Sequence, residues 1–279
     1  MSEVDRKIFE GFSVDLKGKV AVVMGCSAEG GTGWAVAEAL AQNGAKVVVG
    51  SRTRKEIERL AAKIGGKALV CDAGNEADVK ALAKAALDTY GRLDIAVNAA
   101  GQPVISMIAD IEQEQLDQAV RVNLFGNFYF VKHMAAAIGS NGSIIIISSI
   151  SSTHPILPHV GYAAAKAASD CLVRYAALEY GPKNIRVNSI LPAAIKSDMA
   201  KEAFALPEFE AIQAREVPLG RVGYPEDFAN GVLFLAGPSY ITGVNLQLNG
   251  GNQLTRLPYL DELPGGRQAY GSGKVLGDR

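Results

Sequence analysis

The sequence predicts a doubly wound α/β fold of the Rossmann type, with a seven-stranded parallel sheet covered by helices on both faces. Short runs rich in valine and isoleucine recur along the chain, as they do in strands that are buried on both faces. Longer stretches with helical spacing of apolar residues lie between them, and several of these stretches end at glycine. Regular alternation of the two patterns is typical of parallel strands joined by right-handed helical crossovers.

Seven strands and six helices are predicted from these patterns. The strands are expected over residues 19–24, 46–50, 68–71, 94–98, 143–148, 186–191 and 245–248. The helices are expected over residues 35–45, 53–65, 76–91, 112–138, 160–181 and 225–237.

One domain is expected over residues 1–251, of which residues 1–14 form a short amino-terminal extension. A chain of 279 residues with 48% hydrophobic content is long enough to bury a single large core. Residues 252–279 contain several glycines and two prolines without clear periodicity. We expect this carboxyl-terminal extension to cap the active site or a subunit interface, with a flexible end as the alternative.

Composition argues against several kinds of partner. The 28 basic and 29 acidic residues leave a formal net charge of −1, which gives no electrostatic reason to expect nucleic acid. The three cysteines are widely spaced, so neither a disulfide framework nor a metal site is predicted. The most apolar run, Gly142 to Ile147, is far shorter than the roughly 20 residues that cross a bilayer. Because the amino terminus also lacks an apolar leader, we expect a cytoplasmic protein that contacts no membrane.

A glycine-rich turn follows the first predicted strand. Gly25, Gly31 and Gly33 lie between this strand and the first helix, with Ser27 among them. Glycines here let a pyrophosphate approach the backbone N–H groups at the positive end of a helix. A tight turn without a ligand explains an isolated glycine cluster equally well. The position of this cluster in the first βαβ unit favours a dinucleotide site.

The residues after the second and third predicted strands bear on which dinucleotide binds. The second strand is followed by Ser51 and Arg52, where an NAD enzyme usually carries an acid for the ribose hydroxyls. A guanidinium at this position can pair with a 2′-phosphate, which favours NADP over NAD. Glu29 in the glycine turn is negatively charged and favours NAD over NADP. Asp72 and Ala73 follow the third strand, where a carboxylate can accept a hydrogen bond from the adenine amino group.

The candidate reacting groups are Ser149, Tyr162 and Lys166. Tyr162 and Lys166 are four positions apart in a predicted helix, so their side chains emerge on one face. Tyrosine has a pKa of about 10, but a neighbouring ammonium favours its phenolate. Such a group can take the hydroxyl proton during alcohol oxidation and return it during ketone reduction. Ser149 follows the fifth strand, where its hydroxyl can hold the carbonyl oxygen in line with the tyrosine. The alternative is an exposed Tyr–Lys pair without function.

Further motifs accompany these groups. They are Asn98-Ala99-Ala100-Gly101, Asn123, the segment from Pro192 to Ser197, and Asn249-Gly250-Gly251. Together with the glycine turn and the Tyr-x-x-x-Lys pair, they make residues 15–251 resemble the short-chain dehydrogenase/reductase family. The resemblance implies a hydride transfer between a nicotinamide cofactor and a small molecule.

The resemblance also implies roles for residues that their spacing alone does not explain. It implies that Asn123 kinks the fourth long helix and holds a water that passes protons to Lys166. Tyr162 and Lys166 are then expected to contact the cofactor as well as to act in catalysis. A homotetramer built through the fourth and fifth long helices is implied in the same way.

Two further segments of the chain resemble cofactor-binding segments of the family. The resemblance implies that Asn98, Ala100 and Gly101 stabilise the central strand and line the ribose of the cofactor. It implies that Ile195 and Ser197 belong to the stretch whose backbone binds the nicotinamide carboxamide. Ser197 replaces the usual threonine and keeps its hydroxyl.

Departures from the family pattern keep two alternatives open. The glycine turn is two residues longer than usual and resembles that of enoyl reductases, which reduce a carbon–carbon double bond. Those enzymes, however, place more residues between their tyrosine and lysine. The second alternative is a non-catalytic sensor that binds NADP without turnover.

The substrate pocket is expected between residues 150–161 and 193–218. These segments supply several large apolar side chains, which favours a fairly bulky apolar substrate. His154 and His159 lie in the first segment, but their spacing does not predict a metal site.

Overall fold

The computed structural model describes residues 13–266, which contain a single sheet of seven strands. The strands are β1 (Val20–Met24), β2 (Lys46–Ser51), β3 (Lys67–Val70), β4 (Ile95–Asn98), β5 (Gly142–Ile147), β6 (Ile185–Leu191) and β7 (Asn245–Gln247). Each strand begins and ends within one residue of its predicted bounds.

The strands are ordered β3-β2-β1-β4-β5-β6-β7, and every neighbouring pair is parallel. The chain winds outward in one direction from β1 to β3 and then returns to place β4 on the other side of β1. The predicted doubly wound Rossmann fold is therefore confirmed. In such a sheet the crevice outside the carboxyl ends of the strands, where the order reverses, is the usual ligand site.

Nine α-helices occur within residues 13–266. They are α1 (Thr32–Gln42), α2 (Arg54–Ile64), α3 (Glu76–Tyr90), α4 (Gln113–Val120), α5 (Gly126–Ile138), α6 (Val160–Tyr180), α7 (Lys201–Phe204), α8 (Phe209–Arg215) and α9 (Pro225–Ala236). The stretch 112–138, which was predicted as one helix, consists of α4 and α5 joined by a π-helical turn at Arg121–Phe125. The sequence prediction missed α7 and α8, because each is too short to show a helical repeat.

The apolar strand residues divide between two core layers, one on each face of the sheet. Alternation along β1 directs Val22 and Met24 to one layer and Val23 to the other. The first layer packs beneath α3, α5 and α6, and it includes the fully buried Phe130. The second packs beneath α1, α2 and α9, and it includes Trp34. Both faces of the strands are thus covered, which explains their uninterrupted apolar sequences.

The first part of the carboxyl-terminal extension is packed against the domain. Leu257, Leu260 and Leu263 are buried. The backbone carbonyl of Gln253 accepts a hydrogen bond from His154 Nε2 at 3.0 Å, which joins the extension to the loop that follows β5. Residues 252–266 therefore lie beside the predicted substrate pocket, whereas residues 267–279 fall outside the described part of the chain.

Four charged side chains attach this extension to the carboxyl end of α8. Arg256 contacts Glu262 at 2.6 Å and Glu216 at 2.9 Å, and Arg215 contacts the same two carboxylates at 2.7 and 3.0 Å. The neighbouring Arg256 guanidinium, helped by the Tyr259 amide, lowers the pKa of Glu262 to about 2. We refer to Arg215, Glu216, Arg256 and Glu262 as the terminal ion cluster.

A search of the described helices finds none that combines the length and apolar character needed to cross a membrane.

Candidate active site

The predicted site residues surround the carboxyl edge of the sheet near the junction of β1 and β4. Gly25 follows β1 with a φ of +100°, a conformation that side chains other than glycine rarely adopt. A Cβ atom on Gly25 would overlap the backbone of Ala99 and Ala100, which follow β4. The glycine therefore allows the two chain segments to lie in direct contact at the strand-order reversal.

The glycine turn leads into an uncapped helix. Gly31 is the N-cap of α1, and no side chain caps this helix or places a negative charge in its first turn. A Cβ atom on Gly33 would overlap the backbone carbonyl of Gly25, so this glycine is required by packing within the turn. The backbone N–H groups at the start of α1 therefore lack a side-chain acceptor, as is typical of a helix end that binds phosphate. Ser27 is exposed within the same turn.

The additional residues of the longer turn contact two other segments. Glu29 accepts a hydrogen bond at 2.6 Å from Arg59 of α2, and the Arg59 guanidinium lies 4.7 Å from the ring centre of Trp34. The Gly30 carbonyl accepts a hydrogen bond at 3.4 Å from the Asp198 amide, across the carboxyl edge. The charge of Glu29 is therefore balanced within the protein. Sequence reasoning missed Arg59, because nothing local to it indicates its partner.

The end of β2 places a buried hydroxyl and an exposed cation side by side. Ser51 is 5% exposed, and its Oγ accepts a hydrogen bond from the Thr53 amide at 3.2 Å. Arg52 is exposed. Its positive charge is close enough to Asp72 to help lower the pKa of that carboxyl, so Arg52 and Asp72 border the same part of the edge.

Asp72 is already held by the protein. Its carboxylate accepts hydrogen bonds from the Gly74 amide at 2.9 Å and from Arg121 at 3.1 Å. Burial alone would raise the pKa of Asp72, but these donors outweigh it and the pKa is lowered. The neighbouring Ala73 is buried, and its carbonyl lies against Gly126 at the start of α5. Sequence reasoning did not identify Arg121 as the partner of Asp72.

A buried chain of amides connects the end of β4 to the helices. Asn98 Nδ2 donates to Asn127 Oδ1 at 2.6 Å, and Asn98 Oδ1 accepts from the Ala100 amide at 2.9 Å. Asn127 Nδ2 then donates to the Asn123 carbonyl at 2.8 Å and to Ser169 Oγ at 3.0 Å. Asn127 and Ser169 were not predicted. The four-residue spacing of Asn123 and Asn127 in an otherwise apolar helix was the available signal.

Asn123 lies in the π-helical turn and is fully buried. Its side chain accepts a hydrogen bond from the Gln102 amide at 3.1 Å and donates to the Gln102 carbonyl at 2.9 Å. A Cβ atom on Gly101 would lie 3.5 Å from Asn123 Oδ1 and 3.7 Å from Lys166 Nζ. The loop after β4 therefore brings Gly101 between the asparagine and the lysine.

Ser149 and Tyr162 meet above the end of β5. Their hydroxyls lie close enough to interact, and Ser149 Oγ accepts hydrogen bonds from the Ser151 hydroxyl and amide at 2.9 and 3.2 Å. Desolvation raises the pKa of Tyr162 to about 12, although the nearby Ser149 hydroxyl acts in the opposite direction. In the free protein the phenol therefore holds its proton throughout the neutral range.

Lys166 lies one helical turn beyond Tyr162 and is 2% exposed. Its Nζ donates to the Ile147 carbonyl at 2.8 Å and lies 5.5 Å from the centre of the Tyr162 ring. Desolvation lowers the pKa of Lys166 to about 8, while the charge of Asp170 partly opposes the shift. The lysine still carries most of its charge at neutral pH, where it favours the tyrosine phenolate.

The segment after β6 completes the edge. Ile195 pairs with Gly223 in an isolated parallel bridge, and the Lys196 amide donates to the Gly223 carbonyl at 2.9 Å. The Ser197 amide donates to the Ile195 carbonyl at 2.9 Å, and Ser197 is half-buried. This backbone is therefore held in place by hydrogen bonds of its own.

The two histidines of the loop after β5 lie in different surroundings. His154 contacts Thr153 and Gln253, and burial lowers the pKa of His159. Within residues 13–266 no group of three or more potential ligands is arranged to hold a metal ion.

Comparison with known proteins identifies the family. The family model described as Enoyl-(Acyl carrier protein) reductase matches residues 25–253. The chain is 34% identical to the 7alpha-hydroxysteroid dehydrogenase of Escherichia coli (strain K12) in an alignment of length 257 that covers 88% of this chain and 98% of that protein. It is 34% identical to the NAD-dependent glycerol dehydrogenase of Listeria innocua in an alignment of length 256 that covers 87% of this chain and 98% of that protein. A short-chain type dehydrogenase/reductase from Mycobacterium ulcerans has a TM-score of 0.84 and 29% identity, with 90% of this chain and 94% of that chain covered.

The chain therefore belongs to the short-chain dehydrogenase/reductase family, which confirms the resemblance seen in its motifs. It is an NAD(P)-dependent oxidoreductase that interconverts secondary alcohols and ketones.

Proposed function

We propose that this enzyme uses NADP(H) to interconvert a bulky apolar ketone and its alcohol, with Tyr162 as the acid and base. The catalytic assignment is based on the proximity of the side chains of Ser149, Tyr162 and Lys166. The Ser149 hydroxyl is close enough to the phenol to lower its pKa, and Lys166 Nζ lies 5.5 Å from the phenol ring centre. An exposed, functionless Tyr–Lys pair would not bury its ammonium.

Each side chain would perform one part of the reaction. In ketone reduction, Tyr162 Oη donates its proton to the carbonyl oxygen, and in alcohol oxidation it removes the hydroxyl proton. Ser149 Oγ holds the same substrate oxygen in line with the phenol. The positive charge of Lys166 stabilises the phenolate after the proton has left. Asn123 is the positioning residue behind Lys166, since a Cβ atom on Gly101 would lie within 4 Å of the polar atoms of both side chains.

The described residues fit a dinucleotide at this edge. The uncapped N-terminus of α1 offers N–H groups to the pyrophosphate, and Gly25, Gly31 and Gly33 allow the close approach. The other residues that we assign to the cofactor are Ser27, Ser51, Arg52, Asp72, Ala73, Asn98, Ala100, Gly101, Tyr162, Lys166, Ile195 and Ser197. When bound, the nicotinamide supplies or accepts the hydride.

The preference for NADP is assigned to Arg52. Its guanidinium is exposed at the end of β2, where a 2′-phosphate would lie. We expect Arg52→Ala to weaken NADPH binding about 10- to 100-fold, the range for a lost hydrogen bond to a charged group, and to change NADH binding little. Fluorescence titration with both nucleotides measures this difference without turnover.

Arg54→Ala is the matched control, because Arg54 is exposed nearby but paired with Glu58. It should change NADPH binding far less than Arg52→Ala does. An equal loss of NADPH and NADH affinity in Arg52→Ala would remove Arg52 from phosphate recognition, and preference for NADH in the unaltered enzyme would overturn the NADP assignment.

The assignment of a bulky apolar substrate is supported by exposed apolar side chains in the two segments that frame the candidate pocket. Leu157, Val160 and Leu206 are each more than a third exposed there. A panel of bulky and small ketones and alcohols, followed at the nicotinamide absorbance, tests this assignment. Faster turnover of small polyols would contradict it. Turnover of an α,β-unsaturated substrate at its double bond would favour an enoyl reductase, whereas binding without any turnover would favour an NADP sensor.

We also propose a cytoplasmic homotetramer that binds neither nucleic acid nor membrane. The cytoplasmic assignment is supported by the free state of all three cysteines. Apolar side chains on α5 and α6 support the assembly, since Phe128 is 49% exposed, Tyr175 64% and Leu178 79%. Exposed apolar side chains of this size favour self-association.

Leu178→Asp is expected to shift the assembly toward smaller species, because it places a charge in this proposed interface. Native mass spectrometry measures the oligomeric state. Ile108→Asp, at a residue that is 77% exposed but lies outside α5 and α6, is the control and should leave the assembly unchanged. A monomer in the unaltered protein would contradict the proposal.

A further inference from the structure

Asp170 is a buried carboxylate that the reaction outlined above does not use. It is 4% exposed and lies on α6 one helical turn beyond Lys166. Its Oδ1 accepts a hydrogen bond from Ser189 Oγ of β6 at 3.2 Å. Its Oδ2 has no hydrogen-bond partner among residues 13–266. A buried carboxylate that is incompletely bonded is costly unless a positive charge compensates it.

Two basic side chains on the same helix, Lys166 and Arg174, lie four positions from Asp170, and Arg174 is exposed, so Lys166 is the buried positive charge. Residues four apart in a helix have Cβ atoms about 6 Å from each other, so the two charged groups share one face. Lys166 Nζ has three N–H groups, and its hydrogen bond to the Ile147 carbonyl uses one. Ser148 Oγ is a further buried polar atom without a partner in the described chain. Ser148 lies on the same face of the sheet as Ser189, because Ile146 pairs with Ser189 and side chains alternate along a strand.

Other charged groups on the elements around α6 are engaged elsewhere or exposed. Arg186 donates to the carbonyls of Leu235 and Gly237, and Arg121 pairs with Asp72. Lys132 and His133 contact Glu76. Glu114, Asp117 and Lys183 are exposed. The ionisable groups that interact with Asp170 are therefore Lys166 and, two turns away, Tyr162.

We propose that Asp170 is a positioning residue whose buried carboxylate is the counter-charge that keeps Lys166 cationic beside Tyr162. The inference rests on the proposed function, in which the lysine charge stabilises the phenolate. It assigns Asp170 no contact with substrate or cofactor. The direction of its effect agrees with the charges, since Asp170 opposes the fall in the pKa of Lys166 that burial causes.

Asp170→Asn tests the proposal, because it removes the charge and keeps both the size of the side chain and an acceptor for Ser189. Lys166 should then lose its proton at a pH lower by about one unit, the size expected for opposite charges one helical turn apart. The Nζ resonance of Lys166 in ¹⁵N-lysine-labelled enzyme measures this shift directly. The alkaline limb of the kcat profile for alcohol oxidation should move down by a similar amount, with little change in KM.

Asp170→Glu is expected to restore the pH profile, since it keeps the charge. Ser189→Ala removes a hydroxyl that contacts both Asp170 Oδ1 and Asn245 Oδ1 but keeps the Asp170 charge, so the profile is expected to shift far less than in Asp170→Asn. An unchanged Lys166 titration in a folded Asp170→Asn variant would overturn the proposal. If that variant does not fold, ¹³C-carboxyl spectra of the unaltered enzyme decide the question. An ionised Asp170 at pH 7 supports the proposal, and a protonated one overturns it.

Failure of this inference is distinguishable from failure of the proposed function. If Tyr162→Phe is inactive while Asp170→Asn titrates like the unaltered enzyme, only the role of Asp170 is wrong. If Tyr162→Phe stays active, the proposed function is wrong, whereas the Lys166 resonance still reports on the Asp170 charge.

Discussion

Tyr162→Phe is expected to reduce turnover about 10²- to 10⁴-fold, the usual contribution of a positioned acid or base. The substitution removes the phenol hydroxyl near Ser149 and leaves the ring beside Lys166. NADPH affinity should remain within a few-fold of that of the unaltered enzyme, because the substitution removes only the phenol hydroxyl and keeps the aromatic ring. Steady-state rates in both directions and a fluorescence titration measure the two effects separately.

Tyr175→Phe is the matched control for this variant. Tyr175 lies on the same helix but is 64% exposed, so turnover should be unchanged. Near-normal activity in Tyr162→Phe would remove Tyr162 from its role as acid and base.

Gly25→Ala is expected to destabilise the protein by about 3 kcal/mol or more, since a side chain at a positive φ and an overpacked contact add their costs. The φ of Gly25 is +100°, and its added Cβ would overlap the backbone of Ala99 and Ala100. Neither strand end can move away easily, because β1 and β4 are paired in the centre of the sheet. Urea unfolding measures the loss, and dinucleotide binding should weaken with it.

Gly30→Ala separates the two causes. Gly30 lies in the same turn at a φ of +79°, but an added Cβ would have no atom within 4 Å. It should cost only about 1 kcal/mol, the usual cost of a left-handed conformation. Equal losses in the two variants would show that backbone conformation, and not the contact between strand ends, makes Gly25 necessary.

The strands were the most predictable part of the fold. A strand buried on both faces must be apolar throughout, so runs such as the one in β5 end close to where the strand ends. The helix interruption at Arg121–Phe125 was not visible, because a single π-helical turn changes the apolar repeat by only one residue. The motif around Asn123 suggested a kink only through the family resemblance.

The site residues themselves were predictable from the sequence, whereas their partners were not. Ser149, Tyr162 and Lys166 were identified by spacing, and the fold brings all three to one edge of the sheet. Arg59, Arg121 and Asp170 were missed. Arg59 and Arg121 each pair with a residue from another part of the chain, and Asp170 matters because Lys166 is buried. Local sequence contains no record of such pairings.

The terminal ion cluster joins two parts of the chain that are distant in sequence. Arg215 and Glu216 end a helix that follows β6, whereas Arg256 and Glu262 belong to the carboxyl-terminal extension. A charge reversal at any one of the four residues would create two contacts between like charges. A substitution in one of the two segments therefore requires a compensating change in the other, although the segments lie about 40 positions apart in the sequence.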